Sequence, residues 1–388
     1  MDLDYTPLEL AFRDEAKRWL ESNVPRATLP SGDTADGFVL HVEWEKKLFG
    51  ARWSAVSWPR EFGGREASLV EWLIFEEEYY RAGAPQRVTQ NGIFLLAPTL
   101  FEFGTEEQRS RLLLRMAAAE DLWCQGWSEP NAGSDLAGIR SKATRDDGRG
   151  GWLLSGQKTW CTRGAFCDRM FGLFRSDASA ERHKGMTYFL VDLRAPGVTV
   201  RPVGRLDGDA GFAEVFLEDV FVPDRDVLGG VNQGWNVAMA TTGSERGLTL
   251  RSPGRFVAAA GRLVDLCERL GDAVHPCVRD RVVQAWIDAE TYRLYTLQTV
   301  TKVIEGRAIG AESSLNKIFW SEMDVRLHQT ALDLLGPLGE LVDGAPGAVD
   351  GGVWMKGFQF ALAGPIYAGT NEIQRNVVAE RLLGLPRK

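Results

Sequence analysis

The sequence predicts an α+β protein in which a strand-rich zone lies between two helical ones. Three observations carry this. Apolar residues recur at helical spacing from Thr6 to about Ala119, and short β-rich runs broken by Gly, Asp and Asn follow from about Leu122 to Pro223. Long helical periodicity then returns from Gly234 onward. Helices, then strands, then helices points to α+β architecture. The chain has 388 residues, 44% of them hydrophobic, enough to bury a sizeable core spread over two or three domains.

In the first zone Leu8, Phe12, Ala16 and Leu20 mark one stripe, which LVEWLIFEEEYYRAG continues. EFGGREAS and FEFGTEEQRSRLLLRM place Gly breaks ahead of helix starts, with Thr105 three residues before Gln108 as a capping box. The middle zone offers WLLSGQKTWCT, RMFGLFRS, GMTYFLVDL, VTVRPVG and AEVFLEDVFVP as strands, and DDGRGGW as a hairpin turn rather than a nucleotide loop. In the last zone DRVVQAWIDAETYRLYTLQTV and SLNKIFWSEMDVRLHQTALDLLG are long enough for bundle helices. GELVDGAPGAVDGG reads as a loop or mobile insert. Near the end, Gly369 and Thr370 set a turn, and Asn371 with Gln374 has the form of a capping box. Ile373, Val377, Val378, Leu382 and Leu383 then recur at helical spacing. Such a turn presents free N–H groups that suit a phosphate or another anion.

Net charge is −8, with acidic residues spread along the chain, and nothing resembles a basic nucleic-acid face. Anionic ligands must therefore be held by local groups. Five cysteines without CxxC spacing point to reduced thiols and a cytoplasmic location. The four histidines are isolated from one another, so no metal site is expected. The acidic, amphipathic start MDLDYTPLELAFRDEAKRWLES is unlike a signal peptide, and no apolar run approaches a membrane span. The expectation is a soluble protein with neither nucleic-acid nor membrane partners.

Four stretches carry candidate chemistry. CQGWSEPNAGSDLAG gathers Ser128, Asn131, Gly133, Ser134 and Asp135 where helices give way to strands. Small residues let backbone approach a flat ligand, and hydroxyls supply hydrogen bonds, although ordinary loops share this composition. SGQKTWCTRG sets Trp160 on a β-run near Thr159 and Thr162, suited to stacking on an aromatic cofactor or to plain core. TGSERGLTLR places Glu245 beside Arg246, a pair that surfaces also carry. GTNEIQR is the fourth. There is no Walker A, no GxGxxG after a strand and no Ser-His-Asp or Cys-His set. Singly, none of the four decides anything.

In combination they do. EPNAGSD, then GQKTW, then ER, then YAGTNEIQRN resembles the acyl-CoA dehydrogenase family over nearly the whole chain. The resemblance implies an N-terminal α-helical domain over 1–120, a middle β-barrel-like domain over 121–228 and a C-terminal four-helix bundle over 229–388. It implies bound FAD, self-association to dimers or tetramers, and α,β-dehydrogenation of an acyl-CoA to the trans-2-enoyl-CoA. Electrons would pass to an electron-transfer flavoprotein. By the same resemblance Gln125, Trp127, Ser128 and Ser134 line the flavin, with Ser128 near its reactive nitrogen and Ser134 also close to the thioester. Trp160 and Thr162 pack against the other face, and Thr370, Asn371 and Glu372 meet the phosphate or ribose region.

The base needs its own argument. Many members carry a glutamate immediately before the GT turn, where this chain has Ala368, which accepts no proton. One branch instead carries its glutamate on a C-terminal-domain helix directly before an arginine. Glu245 and Arg246 match that arrangement, with Arg246 orienting the base or the CoA end. The N–H near Gly369 remains able to polarise the thioester carbonyl. Two segments depart from the family pattern. LCERLGDAVHPCVRDR, around His275, lacks the Arg-x-x-Phe-Gly that members lend to a neighbour's FAD, and LLGPLG places Pro337 where a second glycine is usual. These leave two possibilities, an altered homodimer or a mixed assembly completed by a sister subunit, as known in bacterial members for bulky acyl-CoAs such as sterol side chains. Two other readings stay open: a flavin-dependent oxygenase or tailoring enzyme of the same fold, and a non-catalytic subunit of a mixed assembly.

Overall fold

A computed structural model describes residues 4–246, 252–307 and 309–386, without the side chains of 244–246. Five helices come first: α1 (Pro7–Asn23), α2 (Ala35–Gly50), α3 (Leu69–Arg81), α4 (Ala97–Phe103) and α5 (Glu106–Ala117). Eight strands follow: β1 (Trp123–Gly126), β2 (Lys142–Asp146), β3 (Gly151–Thr162), β4 (Arg169–Arg175), β5 (Met186–Asp192), β6 (Val198–Val203), β7 (Phe212–Pro223) and β8 (Val227–Leu228). The chain closes with α6 (Gly234–Arg246), α7 (Pro253–Leu270), α8 (Pro276–Ile304), α9 (Glu312–Leu335), α10 (Val353–Ala361) and α11 (Asn371–Val377). They form two compact units. One comprises Pro25–Ala67 and Pro85–Glu245, the other Met1–Val24, Ser68–Ala84 and Arg246–Lys388.

The first unit is built on one sheet, with strand order β6-β7-β3-β2-β4-β5-β8 and β1 paired to β4. The five runs expected as strands are β3 to β7, and DDGRGGW is the hairpin between β2 and β3, closed by the Asp146–Gly151 pair. β4 and β5 are buried along almost their whole length, as strands covered on both faces are. Cys124, Leu154, Cys161, Met170, Phe174, Phe189 and Val215 share one core there. The capping box at Thr105 forms: its hydroxyl accepts from Gln108 N, and the Gln108 side chain accepts from Thr105 N.

In the second unit α7, α8, α9 and α10 make the four-helix bundle, around Phe256, Leu263, Ala289, Trp320, Leu327 and Trp354. α1 and α3 pack in this unit too, joined by Arg13, which pairs with Glu77 at 2.6 Å and Glu78 at 3.1 Å. Of the first stripe Ala16 and Leu20 are buried, but Leu8 in the opening turn stands 80% exposed, beyond the reach of that packing. The Pro/Gly-rich stretch after α9 contains a 3-10 turn, Gly336–Glu340, and a tight turn, Val349–Gly352, that runs through left-handed Asp350 and Gly351.

The last helix differs from expectation. Its N-cap is Thr370, one residue earlier than the sequence pattern places it, with the Thr370 hydroxyl accepting from Ile373 N at 3.2 Å. Asn371 and Gln374, the expected capping pair, turn into the bundle instead. After Val377 the helix widens into a π turn, Val378–Leu382, and Leu383 is exposed. The expected apolar stripe therefore does not stay on one buried face.

α7 crosses α3 at Gly254, where an added Cβ would lie 2.8 Å from the Glu76 carbonyl oxygen and 2.9 Å from Glu77 Cα. Both obstacles are backbone. Gly254→Val is expected to destabilise the chain by about 2–3 kcal/mol through overpacking. Gly261→Ala, in the same helix with only Trp286 at 4.0 Å, should be neutral or stabilising. Thermal unfolding of the two variants checks this.

Candidate active site

In the sheet unit the loop after β1, residues 127–134, is fastened to β3 at two points. Thr159 N donates to the Ser128 carbonyl at 2.9 Å. Lys158 Nζ donates to Glu129 Oε1 at 2.8 Å and reaches the Trp127 carbonyl at 3.4 Å. Lys158 is fully buried and Glu129 nearly so. Glu129 also accepts from the N–H groups of Arg140 at 2.7 Å and Ser141 at 2.9 Å. Burial pushes the Glu129 carboxyl up, but Lys158 and these donors outweigh it and hold the group below its ordinary value. Burial draws the Lys158 ammonium down, and Glu129 offsets this only in part. The pair thus joins the EPNAGSD and GQKTW motifs. Neither residue stood out in the sequence reading, although a charge inside each motif was the available signal.

The expected ring-binding residues surround this fastening. Gln125 is half-buried on β1, Trp127 is buried, Ser128 is half-buried and Ser134 is exposed. The Trp127 indole N–H is buried with no hydrogen-bond partner among the described residues. Trp160 is 60% exposed, so it is not core. Its φ of +59° sits in a β-bulge, where pairing with β7 jumps from Lys158 to Cys161. Left-handed backbone at a bulky residue is a true outlier, costs roughly 1–3 kcal/mol and clusters at functional sites. Trp160 stands edge-on to Phe212, with centroids 5.7 Å apart, and Thr162 beyond it is half-buried. An exposed indole next to a loop of small residues, with an orphan N–H nearby in the chain, fits a flat heteroaromatic ring such as a flavin.

In the helical unit the turn before α11 runs through two left-handed residues, Ala368 at φ +56° and Gly369 at +78°. Gln374 Nε2 holds both carbonyls, at 3.0 and 3.2 Å, and Ser314 Oγ donates to its other end at 2.7 Å. Asn371 is buried: its Oδ1 accepts from Lys317 Nζ at 2.8 Å, and its Nδ2 donates to Glu322 at 3.2 Å. Its backbone N–H goes to the Pro365 carbonyl, and those of Ile373 and Gln374 are also taken. The helix start therefore has fewer free donors than the sequence promises. Among the described residues nothing accepts from the N–H of Gly369. Glu372 is exposed, and its own N–H and Thr370 hold its carboxyl below the ordinary value.

Glu245 and Arg246 close α6, and their side chains lie outside the described residues. The two departing segments lie among the described residues. His275 caps α8, accepting from Cys277 N at 3.3 Å, and Pro337 opens the 3-10 turn after α9.

Comparison with known proteins decides the family. The N-terminal, middle and C-terminal domain models of acyl-CoA dehydrogenase match residues 6–120, 124–220 and 232–383. The chain belongs to the acyl-CoA dehydrogenase family. It is 37% identical over 392 residues to acyl-CoA dehydrogenase IpdE1 of Mycolicibacterium smegmatis, covering 97% of this chain and 98% of that one. It is 38% identical over 339 residues to FadE34 of Mycobacterium tuberculosis, spanning 86% of this chain and 45% of that longer one. Its fold matches the ChsE4–ChsE5 complex from Mycobacterium tuberculosis at a TM-score of 0.87 and 27% identity, over 100% of each chain. It matches the Tcur3481–Tcur3483 steroid ACAD at 0.88 and 26%, again over 100% of each. This acyl-CoA dehydrogenase is thus an oxidoreductase acting on CH–CH bonds, in a family of FAD-dependent flavoproteins. No described helix is long and apolar enough to cross a membrane.

Breaking the buried pair from one side strands a charge. Lys158→Met should cost about 3–5 kcal/mol in denaturant unfolding, with Glu129→Gln in the Lys158→Met background recovering part of it. Because the Glu129 carboxyl is depressed in the folded state, its contribution is present above the ordinary value of 4.5 and is lost as pH falls through the lower folded value. Wild-type stability should therefore fall more steeply below pH 4.5 than that of the Glu129→Gln variant.

Proposed function

We propose that this acyl-CoA dehydrogenase oxidises an acyl-CoA thioester to the trans-2-enoyl-CoA with Glu245 as the base. One observation carries the reading: Glu245 ends α6 within the same unit as the 127–134 loop and Trp160, while Ala368 leaves the position before the GT turn without a proton acceptor. Bound FAD supplies the acceptor for the β-hydride. Gln125, Trp127 and Ser128 line its ring on one face and Trp160 and Thr162 on the other, with the strained bulge presenting the Trp160 indole outward.

Glu245 removes the α-proton, and Arg246 orients it or the CoA end. Ser134, exposed on its loop, meets the thioester, and the N–H of Gly369, without an acceptor among the described residues, donates to the thioester carbonyl as negative charge gathers there. Thr370 and Glu372 serve the phosphate and ribose end of FAD. Asn371, its amide already committed to Lys317 and Glu322, serves by fixing the turn. Electrons leave to an electron-transfer flavoprotein.

The substrate class is a bulky acyl-CoA of the sterol side-chain type, and the assembly includes a sister subunit. Its likeness to the Tcur3481–Tcur3483 steroid ACAD and to the ChsE4–ChsE5 complex supports both statements, as do the departures around His275 and at Pro337.

Glu245→Gln should abolish flavin bleaching by acyl-CoA, by about a thousandfold or more, while FAD stays bound. Persistent bleaching removes Glu245 from the role. For the assembly, the chain expressed alone should carry well under one FAD per chain, rising on addition of a partner subunit. A full complement of FAD in the lone chain would make the partner unnecessary.

A further inference from the structure

The buried face of α6 turns polar one helical turn before Glu245. Thr241 is fully buried, and its Oγ1 lies 3.0 Å from the Val237 carbonyl, 2.8 Å from Thr99 Oγ1 on α4 and 3.4 Å from the Tyr188 hydroxyl on β5. Thr99 Oγ1 in turn lies 2.9 Å from the Leu95 carbonyl. Each threonine has one hydroxyl proton, and two carbonyls one turn back compete for them. At 2.8 Å the two hydroxyls cannot both donate backwards, so one gives up its carbonyl and the link between α4 and α6 is a true hydrogen bond. Tyr188 carries the link onward. Its ring stands edge-on to Trp127 with centroids 6.2 Å apart, and lies parallel to Phe171. The other end of α6 is pinned as well, since a Cβ on Gly234 would lie 2.7 Å from the Thr187 carbonyl carbon. The helix is thereby held at its start by β5 and near its end by Thr241.

We propose that Thr241 is a positioning residue for the base. Its hydroxyl, bonded to Thr99 and Tyr188, fixes the end of α6 against α4 and β5, and the Tyr188 ring stands edge-on to Trp127. This sets where Glu245 sits. The inference rests on the assignment of Glu245 as base, and the test separates the two. An apolar valine of the same shape would fill the space without supplying that direction.

The test uses FAD-loaded, full-length protein in whatever assembly holds FAD. The probe is the 3-thia analogue of the acyl-CoA that bleaches the wild-type flavin. Sulfur at the β-position allows no hydride to leave, so α-proton exchange with D2O reports the base alone. Thr241→Val should slow exchange by about tenfold or more, the scale of a misplaced reacting group, with FAD content and analogue affinity unchanged. Thr241→Ser should restore most of the rate, and Tyr188→Phe should lose less. Exchange by Thr241→Val within about twofold of wild type, with Glu245→Gln inactive, overturns the inference. If Thr241→Val does not fold, Thr99→Val removes the same link from α4, and a wild-type rate there overturns it equally. Exchange surviving in Glu245→Gln instead defeats the base assignment.

Discussion

The buried ion pair between Glu129 and Lys158 is the constraint on which the proposed ring site depends. Taking both charges out of water costs several kcal/mol per ion, and attraction repays this only when the remaining hydrogen-bonding capacity is filled. Here it is filled: Glu129 receives Lys158, Arg140 N and Ser141 N, while Lys158 also faces the Trp127 carbonyl and the Phe174 ring. An apolar pair could fill the same space but would not fix direction. The pair and the Thr159–Ser128 hydrogen bond tie the 127–134 loop to the strand bearing Trp160 as one piece. β3 lies between β7 and β2, so that piece is anchored inside the sheet rather than at an edge.

Backbone strain is the second common element. Trp160 and Ala368 both hold positive φ, and in each case neighbouring atoms impose it. Thr159 is tied to Ser128 just before Trp160, and Cys161 rejoins the β7 ladder just after it. Gln374 grips the carbonyls of Ala368 and Gly369. At the first position the strained bulge leaves the indole exposed. At the second the strain shapes a turn at whose Gly369 N–H no acceptor is found among the described residues. Gln374 and the backbone define the shape of that turn without any help from the Ala368 side chain.

Signals that depend on near neighbours were readable in the sequence. The capping box at Thr105, the strand runs that became β3 to β7 and the hairpin at DDGRGGW each depend on residues a few positions apart. The long bundle helices were visible for the same reason. Where two local solutions were equally good, the local pattern failed. Thr370 and Asn371 are both strong N-caps, and it is Lys317, Ser321 and Glu322, distant in sequence, that claim the Asn371 amide and leave the capping to Thr370.

By itself the sequence determined the order of helices and strands, the absence of a familiar nucleotide loop, the family through motifs read in order, and the presence of Ala368 before the GT turn. Tertiary structure alone decided that Glu129 and Lys158 meet across 29 residues, that a bulge turns Trp160 from core to surface, and that Leu8 stays outside the packing. It also decided that α1 and α3 pack with the C-terminal helices, while α2, α4 and α5 pack with the sheet. The reason is the same throughout. Periodicity and capping record what each segment prefers locally, whereas burial, strain and ion pairing are settled by atoms that only the folded chain brings together.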